Sequence, residues 1–283
     1  MSSTASSGEV KNAKSLLFVP ANRPDRFAKA LESEASAIVI DLEDAVAEDC
    51  KDSARAQLVN YLPLLNADQL MRTAVRVNAV DSRFHTDDIS ALREWAACGV
   101  TLMLPKSESA VAIAQVAQQL GPQGQIVALV ESLAGLDALD LLARAPQVVR
   151  LAFGHLDFQE DMGMRCRPEE PELTYARFAF VAASRRAGLP PPVDGVTTDL
   201  GNSERLALDT QRARAFGFGA KLCIHPAQVA VVNQMLGHTK AERDWAQRVL
   251  TGAEAHLGAA FSLDGKMVDL PVIRLAQNIL AGQ

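Results

Sequence analysis

The chain has 283 residues, of which 48% are hydrophobic and 22% charged, with 17 glycines and 13 prolines. This is the composition of a soluble globular protein with ample material for a core, and it excludes disordered, collagen-like and disulfide-scaffold classes. The 28 basic residues set against 34 acidic ones leave a formal charge of -6. Because no basic run could neutralise a phosphate backbone, nucleic acid is not expected as a partner.

Cysteine usage and the start of the chain predict a cytoplasmic protein. The four cysteines are widely spaced and form no Cys-x-x-Cys pair, so we expect free thiols in a reducing compartment. The first ten residues are small and polar, unlike the apolar core of a secretory signal. No stretch approaches the ~20 consecutive apolar residues that cross a bilayer, so no membrane association is expected. Residues 1–12 are predicted to form a flexible tail.

Short runs rich in Val, Ile and Leu recur along the chain, and segments with helical spacing follow many of them. This alternation is typical of a parallel sheet with crossover helices, with strands buried on both faces. The predicted strands are Ser15–Pro20, Ala37–Glu43, Thr73–Asn78, Thr101–Lys106, Gln125–Ser132, Val149–Gly154, Pro191–Val196 and Ala220–Pro226. The predicted helices between and after them are Pro24–Glu34, Asp87–Cys98 with Asp87 or Asp88 as its cap, Glu108–Leu120, Leu173–Ala187, Ser203–Phe216 and Ala227–Leu236.

About eight strand-helix units without a Ser- or Pro-rich linker favour a (β/α)8 TIM barrel over a doubly wound open sheet. We assign the barrel to residues 13–236. A helical pattern over Lys240–His256 and a final segment, Asp264–Gln283, follow the eighth strand. Residues 237–283 are therefore predicted to form a C-terminal helical extension that the barrel itself does not need.

Polar residues end six of the predicted strands, where the active site of a TIM barrel lies. They are Asp41, Glu43 and Asp44, then Arg76 and Asn78, Lys106, Glu131 and Ser132, His155 and Asp157, and His225. A single strand-ending carboxylate is as often a helix cap, so the agreement among strands carries the prediction. The excess of carboxylates is costly unless a cation compensates it, and an oxygen-only set suits Mg2+.

Eight motifs occur in order across nearly the whole chain. They are Leu17-Phe18-Val19-Pro20, Ile40–Val46 followed by Lys51 and Ala54-Arg55, Arg76-Val77-Asn78, Leu104-Pro105-Lys106, Glu131, Phe153-Gly154 with Asp157-Phe158 and Gly163, Ile224–Gln228, and Met267–Pro271. Together they resemble the citrate lyase beta-subunit and malyl-CoA lyase group of the HpcH/HpaI aldolase superfamily. The resemblance implies a TIM barrel, often trimeric or hexameric, that binds Mg2+. It also implies chemistry that makes or breaks a carbon-carbon bond between a 2-oxoacid and the acetyl group of a CoA thioester.

The resemblance assigns roles to residues at the barrel mouth. It implies that Glu131 and Asp157 are metal carboxylates and that Arg76 polarises the substrate. Glu43 and Asp44 match an acidic pair that holds metal waters and the surrounding cations.

Further substrate contacts are implied at the 2-oxoacid pocket and at the CoA entrance. Gly154, with the backbone amides after it, matches the position that binds the 2-oxoacid carboxylate, and Glu131 is also expected to contact the substrate. His155 and Leu156 stand where small or acidic residues are common, so they bear on substrate identity. The residues implied near the CoA entrance are Lys14, where an arginine is usual, Arg23, His225 and Pro226.

The C-terminal extension acquires a purpose from the same resemblance. Asp269 matches the Asp of a Met-x-Asp-x-Pro segment that closes over the mouth of a neighbouring subunit and serves as acid/base at the acetyl carbon. Residues 237–283 are thus expected to form a lid in a homo-oligomer. Without the resemblance, Asp269 would be interpreted as a turn residue before Pro271.

These expectations describe a Mg2+-dependent lyase that cleaves malyl-CoA or citramalyl-CoA, or citryl-CoA, into acetyl-CoA and a 2-oxoacid, or runs the reverse condensation. One alternative is a class II aldolase acting on free pyruvate aldols. Another is a beta subunit that acts on acyl-carrier-protein thioesters in a citrate lyase-like complex. A third is a binding protein on a barrel that has lost its activity. The closing segment favours the independent CoA enzyme.

Overall fold

The structure, a computed structural model, describes residues 9–282, and its eight parallel strands close into a barrel. The strand β1 pairs with both β2 and β8, at Leu16 with Ala37 and at Ser15 with Lys221, which closes the ring. The predicted TIM barrel is therefore confirmed. Its strands are β1 Ser15–Pro20, β2 Ala37–Asp41, β3 Thr73–Arg76, β4 Thr101–Leu104, β5 Gln125–Val130, β6 Val148–Phe153, β7 Val193–Asp194 and β8 Ala220–Cys223.

Several strands end earlier than predicted. The residues that the sequence places at the ends of β2, β3, β4, β5 and β8 leave the ladder and form the loops of the mouth. The shortest strand, β7, keeps two of the six predicted residues. Proline lacks the N–H that a ladder needs, so Pro191 and Pro192 do not extend β7.

Helices follow the strands of the barrel along the chain, and two further helices, α12 and α13, come after α11. Their bounds are α1 Phe27–Leu31, α2 Lys51–Tyr61, α3 Ala67–Met71, α4 His85–Ala97, α5 Ala110–Leu120, α6 Leu133–Asp137, α7 Leu139–Ala143, α8 His155–Asp161, α9 Thr174–Ala187, α10 Ser203–Phe216, α11 Pro226–Leu236, α12 Lys240–Ala255 and α13 Leu270–Ala281. The predicted cap of α4 is wrong, because the helix begins at His85 and Asp88 lies inside it, fully buried against Arg55 and Asn78. Helices α2, α3, α6, α7 and α8 were not predicted.

The end of the barrel opposite the mouth is closed by the chain before β1. Val10 is fully buried among the inward-facing residues of the strands. The guanidinium of Arg150, on β6, donates to the carbonyls of Ala13 at 2.6 Å and Pro191 at 2.8 Å. Of the predicted tail, residues 1–8 lie outside the described residues, and Val10 belongs to the core.

The chain divides into two compact units, one ending at Asn233 and the other beginning at Gln234. In the second unit, α12 and α13 pack together with an antiparallel hairpin of β9 Phe261–Leu263 and β10 Lys266–Val268. Its core contains Ala246, Val249, Val268, Ile273, Ala276 and Ile279. The predicted C-terminal helices are therefore present. Within residues 9–282, no helix combines the length and apolar character needed to span a membrane.

Candidate active site

A cavity of about 410 Å³ opens at the carboxyl ends of the barrel strands. It is lined by residues from β1, β2, β3, β5, β6, β7 and β8 and their following loops, as expected for a TIM barrel. Among its lining residues are seven that the sequence predicted as site residues: Asp44, Arg76, Glu131, Gly154, His155, Leu156 and Asp157.

Arg76, at the end of β3, lies in a cluster of three carboxylates. It forms a two-pronged hydrogen bond with Asp41, Nε to Oδ1 and Nη2 to Oδ2, each at 2.7 Å. Its Nη1 lies 3.2 Å from Asp44 Oδ2 and 3.0 Å from Glu43 Oε2. The guanidinium also stacks over the Phe18 ring, 5.0 Å from the ring centre. These neighbours raise the pKa of Arg76, so its charge is permanent.

The loop after β2 carries buried negative charge that Arg76 only partly compensates. Glu43 is buried, and its Oε2 accepts no hydrogen bond despite its closeness to Arg76. Burial, helped by Asp44 and Asp41 and opposed by Arg76, raises the pKa of Glu43 to about 7. The Asp44 side chain, by contrast, is largely exposed.

A polar network supports this loop. Lys51 Nζ donates to the carbonyls of Leu42 and Glu43, at 3.0 and 2.8 Å, and to Asn78 Oδ1 at 2.6 Å. Asn78 Nδ2 in turn donates to Asp88 at 2.7 Å. The network ties the ends of β2 and β3 together and so fixes where Glu43 and Arg76 lie.

Glu131 follows β5 and is 4% exposed. Its Oε1 accepts a 2.8 Å hydrogen bond from the backbone N–H of Lys106, whose positive φ of 47° turns the chain at the end of β4. Burial, reinforced by the charges of Glu43 and Asp157, raises the pKa of Glu131 to about 8. A side chain at Gly154 would place its Cβ 2.3 Å from Glu131 Oε2, so any residue other than glycine would displace Glu131.

The donor set of the site fits Mg2+. The charge of half-buried Asp157 acts on the buried carboxylate of Glu131, and Glu43 Oε2 adds an orphaned oxygen nearby. Hard cations prefer such oxygens. Residues 9–282 contain no group of three or more His, Cys, Asp or Glu placed to hold a metal ion. Two carboxylates still suffice for Mg2+, which keeps most of its waters and takes substrate oxygens.

The cavity also has apolar lining residues. They are Phe18, Leu129, Phe153, Val196, Leu222 and Ile224, with Leu156 44% exposed. His155 is buried beneath them, with Nε2 3.5 Å from Glu170 Oε1. Burial lowers the pKa of His155. His155 thus belongs mainly to the packing between β6 and β7, where a Cβ on Gly195 would lie 2.0 Å from its ring.

The predicted CoA contacts do not all lie at the mouth. Lys14 precedes β1 and is thus at the opposite end of a six-residue strand, about 20 Å away, so this prediction is wrong. His225 and Pro226 line a second groove, of about 680 Å³, together with Arg26 and Lys29 from the region of α1. Arg23 is exposed in the loop after β1 and pairs with Asp25.

Asp269, in the second compact unit, begins α13. Its Oδ1 accepts a 3.4 Å hydrogen bond from the N–H of Val272, and Pro271 stands in the first turn. Asp269 is therefore a helix cap in this chain, and its predicted acid/base role stays a prediction.

Asp41 and Lys51 hold other residues of the site in place, a role that the sequence analysis did not assign to them. Asp41 orients Arg76, and its carboxylate also accepts the N–H groups of Glu43 and Ala45. Its place at the end of β2 was the available signal. For Lys51, the signal was membership of a matching motif, but its contacts with two backbone carbonyls depend on the fold.

Comparison with known proteins identifies the family. A sequence model of the HpcH/HpaI aldolase/citrate lyase family matches residues 14–226. The chain belongs to this family. Membership confirms the resemblance noted in the sequence and makes the protein a carbon-carbon lyase.

Individual members of the HpcH/HpaI aldolase/citrate lyase family cover nearly the whole chain. A citrate lyase subunit beta-like protein of Deinococcus radiodurans is 36% identical and covers 95% of this chain and 96% of its own. A (3S)-malyl-CoA thioesterase of Cereibacter sphaeroides is 31% identical, and the match covers 95% of this chain and 93% of the relative. Protein CitE of Mycobacterium tuberculosis, solved with magnesium, acetoacetate and coenzyme A, has a TM-score of 0.82 and 33% identity, covering 96% and 98%.

Proposed function

We propose that this protein is a Mg2+-dependent lyase that cleaves malyl-CoA or citramalyl-CoA into acetyl-CoA and a 2-oxoacid, or catalyses the reverse condensation. The observation that carries the proposal is the cavity itself. It brings the carboxylates of Glu131 and Asp157 and the fixed charge of Arg76 together with apolar lining residues. The magnesium and coenzyme A in the CitE complex support it.

Glu131 and Asp157 would hold the cation. A bound Mg2+ supplies a Lewis acid that orients and polarises substrate oxygens. Glu43 and Asp44 would accept hydrogen bonds from waters around such an ion. The absence of a side chain at Gly154 lets the Glu131 carboxylate lie against the backbone there, next to the proposed position of the 2-oxoacid carboxylate.

Arg76 stabilises negative charge that develops during cleavage. Its three hydrogen bonds to Asp41 and Asp44 use three of the five guanidinium N–H groups. Nη1 also lies 3.0 Å from Glu43 Oε2, so the second N–H of Nη2 is the one that would donate to a substrate oxygen. Because Asp41 already fixes the guanidinium, little reorganisation is needed as that oxygen gains charge.

Breaking the carbon-carbon bond leaves an enolate on the acetyl fragment, which needs a proton at carbon. Asp269 would deliver that proton, or remove one in the condensing direction. In the proposal it acts at the mouth of a neighbouring subunit, so the working enzyme is a homo-trimer or hexamer.

The second groove would accept the CoA portion of the substrate. Arg26 and Lys29 supply positive charge near His225 and Pro226, and Arg23 lies in the same loop region, so phosphate groups would find cations there. All four cysteines are unpaired, which supports a reducing compartment and a cytoplasmic location.

The test measures release of acetyl-CoA and 2-oxoacid from malyl-, citramalyl- and citryl-CoA, with Mg2+ and with excess EDTA. Wild type should cleave one of these only with Mg2+, and Asp157→Asn and Asp269→Asn should both lose most of that activity. Glu160→Gln, on the exposed side of α8, is the matched control and should behave as wild type. If no thioester is cleaved under any condition, the proposal fails.

Relatives named citrate lyase subunit beta favour a second candidate, a subunit of a larger complex. It predicts activity on a thioester of an acyl carrier protein and none on free CoA esters. The (3S)-malyl-CoA thioesterase relative adds a further outcome, release of free CoA by hydrolysis. Measuring acetyl-CoA and free CoA separately distinguishes these outcomes.

A further inference from the structure

Three consecutive residues after β5 each form a hydrogen bond with a residue of another segment. Glu131 accepts the N–H of Lys106, Ser132 Oγ donates to Glu108 Oε1 at 2.5 Å, and the N–H of Leu133 donates to Asp161 Oδ2 at 2.7 Å. The first two contacts come from the loop after β4. The third comes from α8, the helix that carries Asp157.

The contact between Asp161 and Leu133 satisfies a group that α6 cannot satisfy itself. Leu133 is the first residue of α6, and the N–H groups of a first helical turn have no acceptor within their own helix. A carboxylate is favoured there because the helix dipole is positive at that end. Asp161 therefore has a physical reason to stay in this position although it is exposed.

The same contact completes a short path between the two proposed metal carboxylates. Asp161 lies four residues after Asp157 on α8, so the two are one turn apart on the same face. Leu133 lies two residues after Glu131. The path from Glu131 through Leu133 and Asp161 to Asp157 thus runs through one hydrogen bond and two rigid pieces of backbone.

We propose that Asp161 is a positioning residue, which sets the separation of Glu131 and Asp157 and thereby the affinity of the site for a divalent cation. The inference rests on the proposed function, because it takes Glu131 and Asp157 as the metal ligands. Asp161 itself binds no metal and touches no substrate. Partners behind metal ligands typically change metal affinity by about 10- to 100-fold, and for an exposed contact we expect the lower end.

The test measures Mn2+ binding to the full chain by electron paramagnetic resonance. Asp161→Ala removes the carboxylate that accepts the hydrogen bond, and Leu133→Pro removes the backbone N–H that donates it. Proline is tolerated at the first position of a helix, and Ser132, at φ -143° and ψ 164°, already has the extended conformation that a residue before proline needs. Each variant should weaken Mn2+ binding about tenfold, and the double variant should weaken it no further.

Three variants separate this role from general damage. Asp161→Asn keeps an acceptor oxygen and should restore Mn2+ affinity close to that of wild type. Leu133→Ala shortens the side chain but keeps the N–H, and Glu160→Ala removes a neighbouring exposed carboxylate, so both should bind as wild type does. With saturating Mg2+, kcat of Asp161→Ala should approach the wild-type value, whereas the Mg2+ concentration for half activity should rise.

Mn2+ binding to Asp161→Ala and Leu133→Pro as tight as that of wild type would overturn the inference while leaving the proposed function intact. Should Asp161→Ala fail to fold, Leu133→Pro decides alone. If wild type itself binds no Mn2+, the metal site of the proposed function is wrong, and the positioning role is overturned with it.

Discussion

Two charge-rich regions of the barrel differ in how their buried charges are compensated. At the mouth, Glu43 and Glu131 are buried carboxylates with raised pKa values, about 7 and about 8. Around β7, Asp194 is just as buried, yet its pKa is lowered. Burial alone therefore does not distinguish a site from a structural network.

The difference lies in the partners. Asp194 faces Arg177 Nε at 3.3 Å and Lys221 Nζ at 3.6 Å, both buried, and Lys221 also donates to the carbonyl of Gly195 at 2.7 Å. Glu170 Oε2 accepts hydrogen bonds from Arg177 Nη2 at 2.5 Å and from Arg212 Nη2 at 2.8 Å. The β7 network carries its own cations, whereas the mouth has an excess of carboxylates that a bound cation would complete.

The largest expected effect tests the compensated network. Asp194→Asn leaves Lys221 and Arg177 buried without their shared partner, and removing one member of a buried ion network costs about 3–5 kcal/mol. Urea unfolding should show this loss. Asp140→Asn breaks the exposed pair with Arg186 and should cost less than about 1 kcal/mol. Equal losses in the two variants would contradict the comparison.

At the mouth, Glu131→Gln should not lower stability, in contrast to Asp194→Asn, but should lower activity. It removes a carboxylate that the metal-free protein stabilises poorly, so stability should stay the same or rise. We expect kcat to fall by roughly 10²–10³, as when a charge-stabilising group is lost. Glu160→Gln is the control for both measurements. A destabilised Glu131→Gln would mean that the mouth is compensated like the β7 network.

The pH dependence of stability should show the uncompensated charge directly. The folded-state pKa values of Glu43 and Glu131 lie above 4.5, the ordinary pKa of a glutamate side chain. Their contribution to the stability of metal-free protein is therefore fully present below about pH 4.5 and is lost as the pH rises through about 7 and 8.

Mg2+ competes with protons for these carboxylates, so its stabilising effect should grow with pH. At a magnesium concentration of 100 times Kd, we expect Tm to rise by about 5–10 °C near pH 8, and much less near pH 5.5. Differential scanning fluorimetry with Mg2+ and with EDTA measures both. Equal stabilisation at the two pH values would argue against Glu43 and Glu131 as the groups that respond.

The smallest expected effect comes from Gly154→Ala. Its Cβ would meet Glu131 Oε2 at 2.3 Å and Glu131 Cβ at 2.7 Å, so Glu131 must move. We expect kcat/KM to fall about tenfold, because a displaced Glu131 would bind the metal more weakly and orient the substrate less well. Gly201→Ala has no neighbour closer than 3.8 Å and should retain full activity.

The sequence predicted the barrel because hydrophobic periodicity is a local property, repeated eight times. It predicted the strand-ending polar residues for the same reason. It did not predict where strands stop, because pairing with neighbours decides that: β2 ends at Asp41, whose carboxylate caps the following loop instead. Lys14 shows the same limit, since only the direction of β1 reveals which end of the barrel it occupies.

By itself, then, the amino-acid sequence determined the parallel barrel, the C-terminal helices, the family and most residues of the mouth. The tertiary structure decided which charges are compensated. Asp41 with Arg76, Lys51 with Asn78, and Asp161 with Leu133 are pairs separated by 27 to 35 residues along the chain. Electrostatic and hydrogen-bond energies fall off over a few ångströms, so contacts across such separations exist only once the barrel has closed.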